Sequence, residues 1–181
     1  MMEDLSLHVL DIAENSIAAG ATLIIVTINE SRKRNLLTLR VADNGRGMSR
    51  AELRRARDPF FTTKEKRTGL GLPLLAQTAE QCGGGLTITT RPGKGTRVEA
   101  RFFYRHIDRP PLTNMRGTMM ALVFGHPEID FRYRHRRDGR IFAFASRRFI
   151  PARLAAGGLA PETIGRVRRH LGAGLRRIGT T

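Results

Sequence analysis

Val41-Ala42-Asp43-Asn44-Gly45-Arg46-Gly47-Met48 is the stretch on which the reading of this chain turns. It closes Leu36-Leu37-Thr38-Leu39-Arg40-Val41, which alternates apolar and polar residues as a half-buried strand does. The strand ends in a carboxylate, Asp43, followed by a turn broken by Gly45 and Gly47. A carboxylate fixed at a strand end can accept a hydrogen bond from an exocyclic amine. Two glycines beside it let a flat ring approach the backbone. Asp-Asn-Gly is also an ordinary hairpin turn, so this stretch alone leaves both readings open. Its neighbours in the chain decide between them.

On the N-terminal side, residues 4–18 have the periodicity of a helix, with Leu5, Val9, Ile12 and Ser16 marking one face. His8, Asp11 and Asn15 fall on another single face, one turn apart. An asparagine carbonyl there can serve a hard cation such as Mg²⁺, and a carboxylate one turn away can orient or deprotonate water. A polar solvent face would show the same spacing. His8 reads as a bystander or a helper hydrogen bond. A β-branched strand, 22–30, and a polar turn, 31–35, lead into the strand before Asp43.

On the C-terminal side, Ser49 and Glu52 have the spacing of a capping box for a short helix over 49–57. Asp58-Pro59-Phe60-Phe61-Thr62-Thr63-Lys64 then reads as a loop whose length suggests function. Thr68-Gly69-Leu70-Gly71-Leu72 opens a helix running to about Cys82, and its free amide N–H groups and helix dipole suit phosphate. It is neither a Walker loop nor a dinucleotide fingerprint. Gly83-Gly84-Gly85 caps that helix, and strands 86–90 and 96–104 form a second hairpin, with Thr96 opening the later strand.

Four boxes therefore stand in one order: a helix with Asn15, the Asp43–Gly47 turn, the Phe60–Lys64 loop and Gly69-Leu70-Gly71-Leu72. Over about residues 4–105 this resembles the GHKL ATPase superfamily of gyrase B, the heat-shock chaperone, sensor histidine kinases and mismatch-repair ATPases. The resemblance implies an α+β fold, a two-layer sandwich of a mixed sheet with helices on one face, and ATP with Mg²⁺ as ligands. It implies Asn15 for Mg²⁺ and Asp43 for adenine, with Gly45 and Gly47 lining the ring and Thr96 helping through water. It further implies Phe60 and Lys64 in an ATP lid, and Gly69, Leu70, Gly71 and Leu72 at the phosphates. Asp11 stands where hydrolysing members carry a glutamate base; it is one methylene shorter. Arg67 stands where many members have a further glycine. Sensor kinases place a phospho-accepting histidine on a helical hairpin before the asparagine helix, and here that helix begins within fifteen residues of Met1. The expectation is a histidine-kinase-like ATPase domain without a phosphoacceptor domain.

Arg109-Pro110-Pro111-Leu112 breaks the chain by composition, and a second unit follows: helix 112–124, an alternating strand 129–136, a turn at Asp138-Gly139, a strand 140–145 and a helix from Pro161. The expected division is thus an ATPase domain over 1–105 and a small basic α+β module over 106–181. The net charge is +16, and residues 106–181 carry +10 of it, with 15 Lys+Arg against 5 Asp+Glu. Only four of the 32 basic residues are lysine, so much of this charge reads as a solvated arginine face.

No run reaches the roughly 18 apolar residues of a membrane span, and the single Cys82 excludes an internal disulfide. Met1-Met2-Glu3-Asp4 has neither the basic start nor the apolar block of a signal peptide, so the expected location is the cytoplasm. The function these features favour is a stand-alone ATP·Mg-binding protein that hydrolyses ATP slowly or phosphorylates a partner protein, as anti-sigma serine kinases do. The alternatives are a non-catalytic ATP-sensing interaction module and a basic nucleic-acid binder. No DNA-reading motif is visible, so nucleic acid is not the expected partner. Pairing of two copies is left open.

Overall fold

The computed structural model describes residues 4–57, 71–151 and 160–180. Helix α1 (Leu5–Ala18) is followed by strands β1 (Leu23–Ser31) and β2 (Leu36–Asp43), then helices α2 (Arg50–Arg57) and α3 (Gly71–Gln81). Strands β3 (Gly85–Thr90) and β4 (Thr96–Phe103), helix α4 (Met115–Gly125), strands β5 (Asp130–Arg137) and β6 (Arg140–Ala145) and helix α5 (Pro161–Ile178) complete the order. The six strands form one sheet, β3-β4-β2-β1-β5-β6. All pairs are antiparallel except β1 with β5, which run parallel in the register Ile24↔Phe131 to Glu30↔Arg137.

Alternation puts one face of each strand into the core. Ile24, Val26 and Ile28 of β1, Leu37, Leu39 and Val41 of β2, and Phe131 and Tyr133 of β5 are all buried. Their intervening neighbours are only partly covered or exposed. Helices cover the buried face: α3 lies beside α1, α1 beside α4, and α4 beside α5. This is the expected α+β sandwich of a mixed sheet with helices on one side.

Local signals set the element ends. Asp4 caps α1, accepting the Ser6 N–H at 2.7 Å. Ser49 and Glu52 exchange hydrogen bonds at α2, the Ser49 N–H donating to Glu52 at 2.8 Å and the Glu52 N–H donating to Ser49 Oγ at 3.2 Å. Arg46, bonded to Glu52 at 2.7 Å, is the main cause that holds this carboxyl down to about 2. Helix α4 begins at Met115 rather than Leu112, because Asn114 accepts the Gly117 N–H at 3.2 Å and starts the helix there. Leu112 still packs against the core from the preceding segment.

The C-terminal residues do not stand apart from this sheet. Strand β5 takes the free edge of β1, β6 extends it, and Met115, Met119, Leu122 and Val123 of α4 join the same core as Leu5 and Val9 of α1. The expected boundary near residue 105 thus divides the sequence without dividing the sheet. A buried polar chain fastens the added strand. Tyr133 Oη meets His135 Nδ1 at 2.6 Å, and His135 Nε2 meets Glu30 Oε1 of β1 at 2.7 Å.

Candidate functional site

The site is organised along α1. Near its C-terminal end, Ser16 Oγ stands 2.8 Å from Asp43 Oδ2. The other oxygen, Oδ1, accepts the Gly45 N–H at 2.8 Å and the Thr96 N–H at 3.1 Å. Three donors from three segments therefore fix the half-buried Asp43 carboxylate at the end of β2. Two donors fill Oδ1, while Oδ2 keeps acceptor capacity. Ser16 also lies 3.1 Å from the Ile12 carbonyl, so its single proton is shared between two acceptors.

Gly45 and Gly47 are required by backbone approach. A Cβ on Gly45 would stand 2.9 Å from the Ala19 carbonyl oxygen at the end of α1. Gly47 has φ +67°, and a Cβ there would fall 2.0 Å from the Arg91 carbonyl oxygen. Gly95, at φ +75°, presses equally closely on the Asp43 carbonyl. Gly47 thus packs onto the β3–β4 loop, and Gly45 is the glycine that abuts both α1 and the Asp43 carboxylate.

Thr96 meets Asp43 directly through its N–H, while its hydroxyl lies 3.1 Å from Thr90 Oγ1. Thr90 in turn accepts the Met48 N–H at 2.9 Å. A pocket of about 260 Å³ opens here, lined in part by Asp43, Thr90, Arg91, Lys94 and Thr96.

In the middle of α1, Asp11 faces the start of α3. Its Oδ2 would lie 3.0 Å from a Cβ on Gly71, the first residue of that helix. Burial raises the Asp11 pKa, and the neighbouring Glu14 charge adds to the rise. Asn15 is exposed, one turn from Asp11 and next to Ser16. Among the described residues its side chain makes no hydrogen bond, so its amide is available to a ligand. The polar face expected for α1 is graded: His8 is buried, Asp11 half-buried and Asn15 exposed. Neither ring nitrogen of His8 has a partner among the described residues, and burial lowers its pKa, so it makes no helper hydrogen bond there.

Leu72 lies on the first turn of α3, partly buried against the core. Phe60, Lys64, Gly69 and Leu70, and with them the expected lid, lie outside the described residues. Ser16 and Thr90 are the site residues that sequence reasoning passed over. Ser16 carried a signal, as a hydroxyl on the apolar stripe of α1; Thr90 carried none beyond its place across the hairpin from Thr96.

Among the described residues no cluster of three or more His, Cys, Asp or Glu could hold a metal by itself. Any hard cation here would lean on the exposed amide oxygen of Asn15 and on oxygens brought by the ligand, and that donor chemistry suits Mg²⁺.

The chain belongs to the histidine kinase-, DNA gyrase B- and HSP90-like ATPase family, whose profile matches residues 3–106. Over 89 residues it is 35% identical to the sensor protein DegM of Bacillus sp. (strain B21-2), covering 49% of this chain and 24% of that protein. Over 87 residues it is 36% identical to sporulation kinase C of Bacillus subtilis (strain 168), covering 48% of this chain and 20% of that protein. The chain thus spans a quarter or less of these relatives. The Aquifex aeolicus MutL ATPase domain complexed with ADP shares the fold, with a TM-score of 0.54 at 19% identity, over 93% of this chain and 70% of that one. The chain therefore carries an ATP-binding domain. No helix among the described residues is long and apolar enough to cross a membrane.

Proposed function

We propose that this protein binds ATP with Mg²⁺ and passes the γ-phosphoryl group to water slowly or to a partner protein. The observation that carries this reading is the span of α1. Its C-terminal end fixes the Asp43 carboxylate through Ser16, its middle sets Asp11 against the first residue of α3, and Asn15 lies exposed between.

In this reading Asp43 Oδ2 accepts the adenine amine, while the three donors hold the carboxylate still. The N-terminus of α3 offers amide N–H groups and positive potential to the phosphates, with Gly69, Leu70, Gly71, Leu72 and Lys64 as the proposed contacts and Phe60 as part of the lid. Asn15 would help hold Mg²⁺, which would supply positive charge against that building on the leaving ADP. The incoming oxygen, from water or a partner hydroxyl, needs to lose a proton, and in this reading Asp11 takes it. The raised pKa of Asp11 suits that task, since a base works best near its operating pH.

The kinase names of the relatives support transfer to a protein. The shorter reach of aspartate supports slow hydrolysis. Turnover tests the reading: phosphate release, or transfer from labelled ATP to a partner, is expected to fall by 10²-fold or more in Asp11→Asn while ATP still binds. Unchanged turnover in that variant removes Asp11 from the chemistry. No release or transfer under any condition leaves an ATP-sensing module.

A further inference from the structure

Among the described residues, some arginines are matched by carboxylates. Arg40 and Arg101 share Glu99, Arg132 has Asp130, and Arg32 has Asp138. Helix α5 is different. It exposes Arg166, Arg168, Arg169, Arg176 and Arg177, and its one acidic residue, Glu162, sits in the first turn. Among the described residues, none of these five arginines has a carboxylate at ion-pair distance. Arg166 lies instead over the Phe149 ring, 5.9 Å from its centroid.

The unmatched charge converges at one point. A Cβ on Gly172 would stand 3.3 Å from Arg176 Nη1 and 3.5 Å from Nη1 of Arg116, an exposed residue of α4. The two guanidinium groups, from different helices, thus meet over one glycine, no farther apart than those two distances together. Arg168 precedes Gly172 by one turn, on the line that continues to Arg176. Like charges gathered this closely repel unless an anion lies among them.

We propose that the α4–α5 seam, centred on Gly172 and built from Arg116, Arg168 and Arg176 with Arg169 and Arg177 beside them, binds the phosphodiester backbone of double-stranded nucleic acid. Planar guanidinium forks match phosphate oxygens. Duplex DNA presents a charge about every 1.7 Å along its axis, so a row of arginines meets several phosphates at once. Contacts of this kind position a protein without reading sequence, in keeping with the lack of a DNA-reading motif. The exposed residues between Arg166 and Arg177 include one apolar side chain, Ala173. A protein interface has an apolar centre, and a membrane-surface helix buries an apolar face; this seam offers neither. It is built on α4 and α5, whereas the Asp11–Gly71 pair joins α1 and α3, so it does not depend on the nucleotide reading.

The test is fluorescence anisotropy of the full chain with a labelled mixed-sequence DNA duplex between 50 and 200 mM KCl. With four or five phosphate contacts, affinity is expected to fall on the order of 10²–10³-fold over that range, and the salt slope to flatten by roughly 0.9 for each arginine removed in Arg116→Gln, Arg168→Gln and Arg176→Gln. The triple variant should keep its melting temperature and its stabilisation by ATP, which separates loss of the seam from loss of the fold. Wild-type affinity that hardly changes with salt overturns the proposal. So does a triple variant that binds like wild type, and so does polyglutamate displacing the duplex as well as unlabelled duplex does, which would assign the seam to an acidic protein.

Discussion

Ser16 shows how one hydroxyl can serve both layers of a fold. It sits on the buried stripe of α1, yet its Oγ reaches Asp43 Oδ2 at 2.8 Å. Ser16→Ala should leave the helix intact and weaken ATP binding by about 3–10-fold, the worth of one ordinary hydrogen bond; titration calorimetry measures it. Asp11 makes a prediction about pH. Its folded pKa is raised, first by burial and then by Glu14, so the fold prefers the protonated acid. That preference stabilises fully below the unfolded pKa and is lost as pH rises through the folded one. Asp11→Asn removes the penalty on the charged form. The variant should therefore match wild type in thermal stability near pH 3 and exceed it increasingly toward pH 7. An advantage that shrinks with rising pH would contradict the burial of Asp11.

The elements of this chain were legible because each carried its own signal. Ser49 with Glu52 and the Asp138-Gly139 turn lie where the structure caps or turns the chain. The alternation of Phe131, Tyr133 and His135 with arginines gave the faces of β5 correctly, including the buried His135. What the sequence left open was contact between elements. Nothing local says that Gly47 packs on Arg91 or Gly95 on Asp43, although both glycines sit in visible turns. These close approaches give an element-scale prediction. Gly47→Ala or Gly95→Ala forces a side chain onto a carbonyl oxygen at positive φ. The φ alone costs about 1–2 kcal/mol, and the overlap adds to it. Both variants should melt well below wild type. Gly20→Ala, also at positive φ but with no atom within 4 Å of the new Cβ, should cost less. Equal losses in all three would show that conformation, not packing, governs these turns.

On the scale of the whole molecule, the parallel pairing of β1 with β5 is the step that composition and periodicity do not encode. The proline break and the change of charge near residue 110 invite a division, and neither says which strands pair. The join is made by buried groups: Phe131 and Tyr133 beside β1, the His135–Glu30 contact, and α4 against α1. Unfolding should accordingly be one cooperative transition. A chain ending at residue 106 would uncover the β1 edge and the α1 face that α4 protects, leaving Glu30 without its histidine. It should fail to give a stable monomer, as judged by circular dichroism and size-exclusion chromatography; a well-folded monomer of residues 1–106 would show that the C-terminal residues are an independent appendage.

The central claim is that Asp43, held by Ser16, Gly45 and Thr96, reads adenine at one end of α1. In Asp43→Asn the two backbone N–H groups keep the amide oxygen at the Oδ1 position, so the new NH₂ takes the Oδ2 position and meets the adenine amine donor to donor. Calorimetric titration of this variant with ATP in the presence of Mg²⁺ should show affinity reduced by about 10²-fold or more, with the fold retained. Binding as tight as wild type would contradict the account.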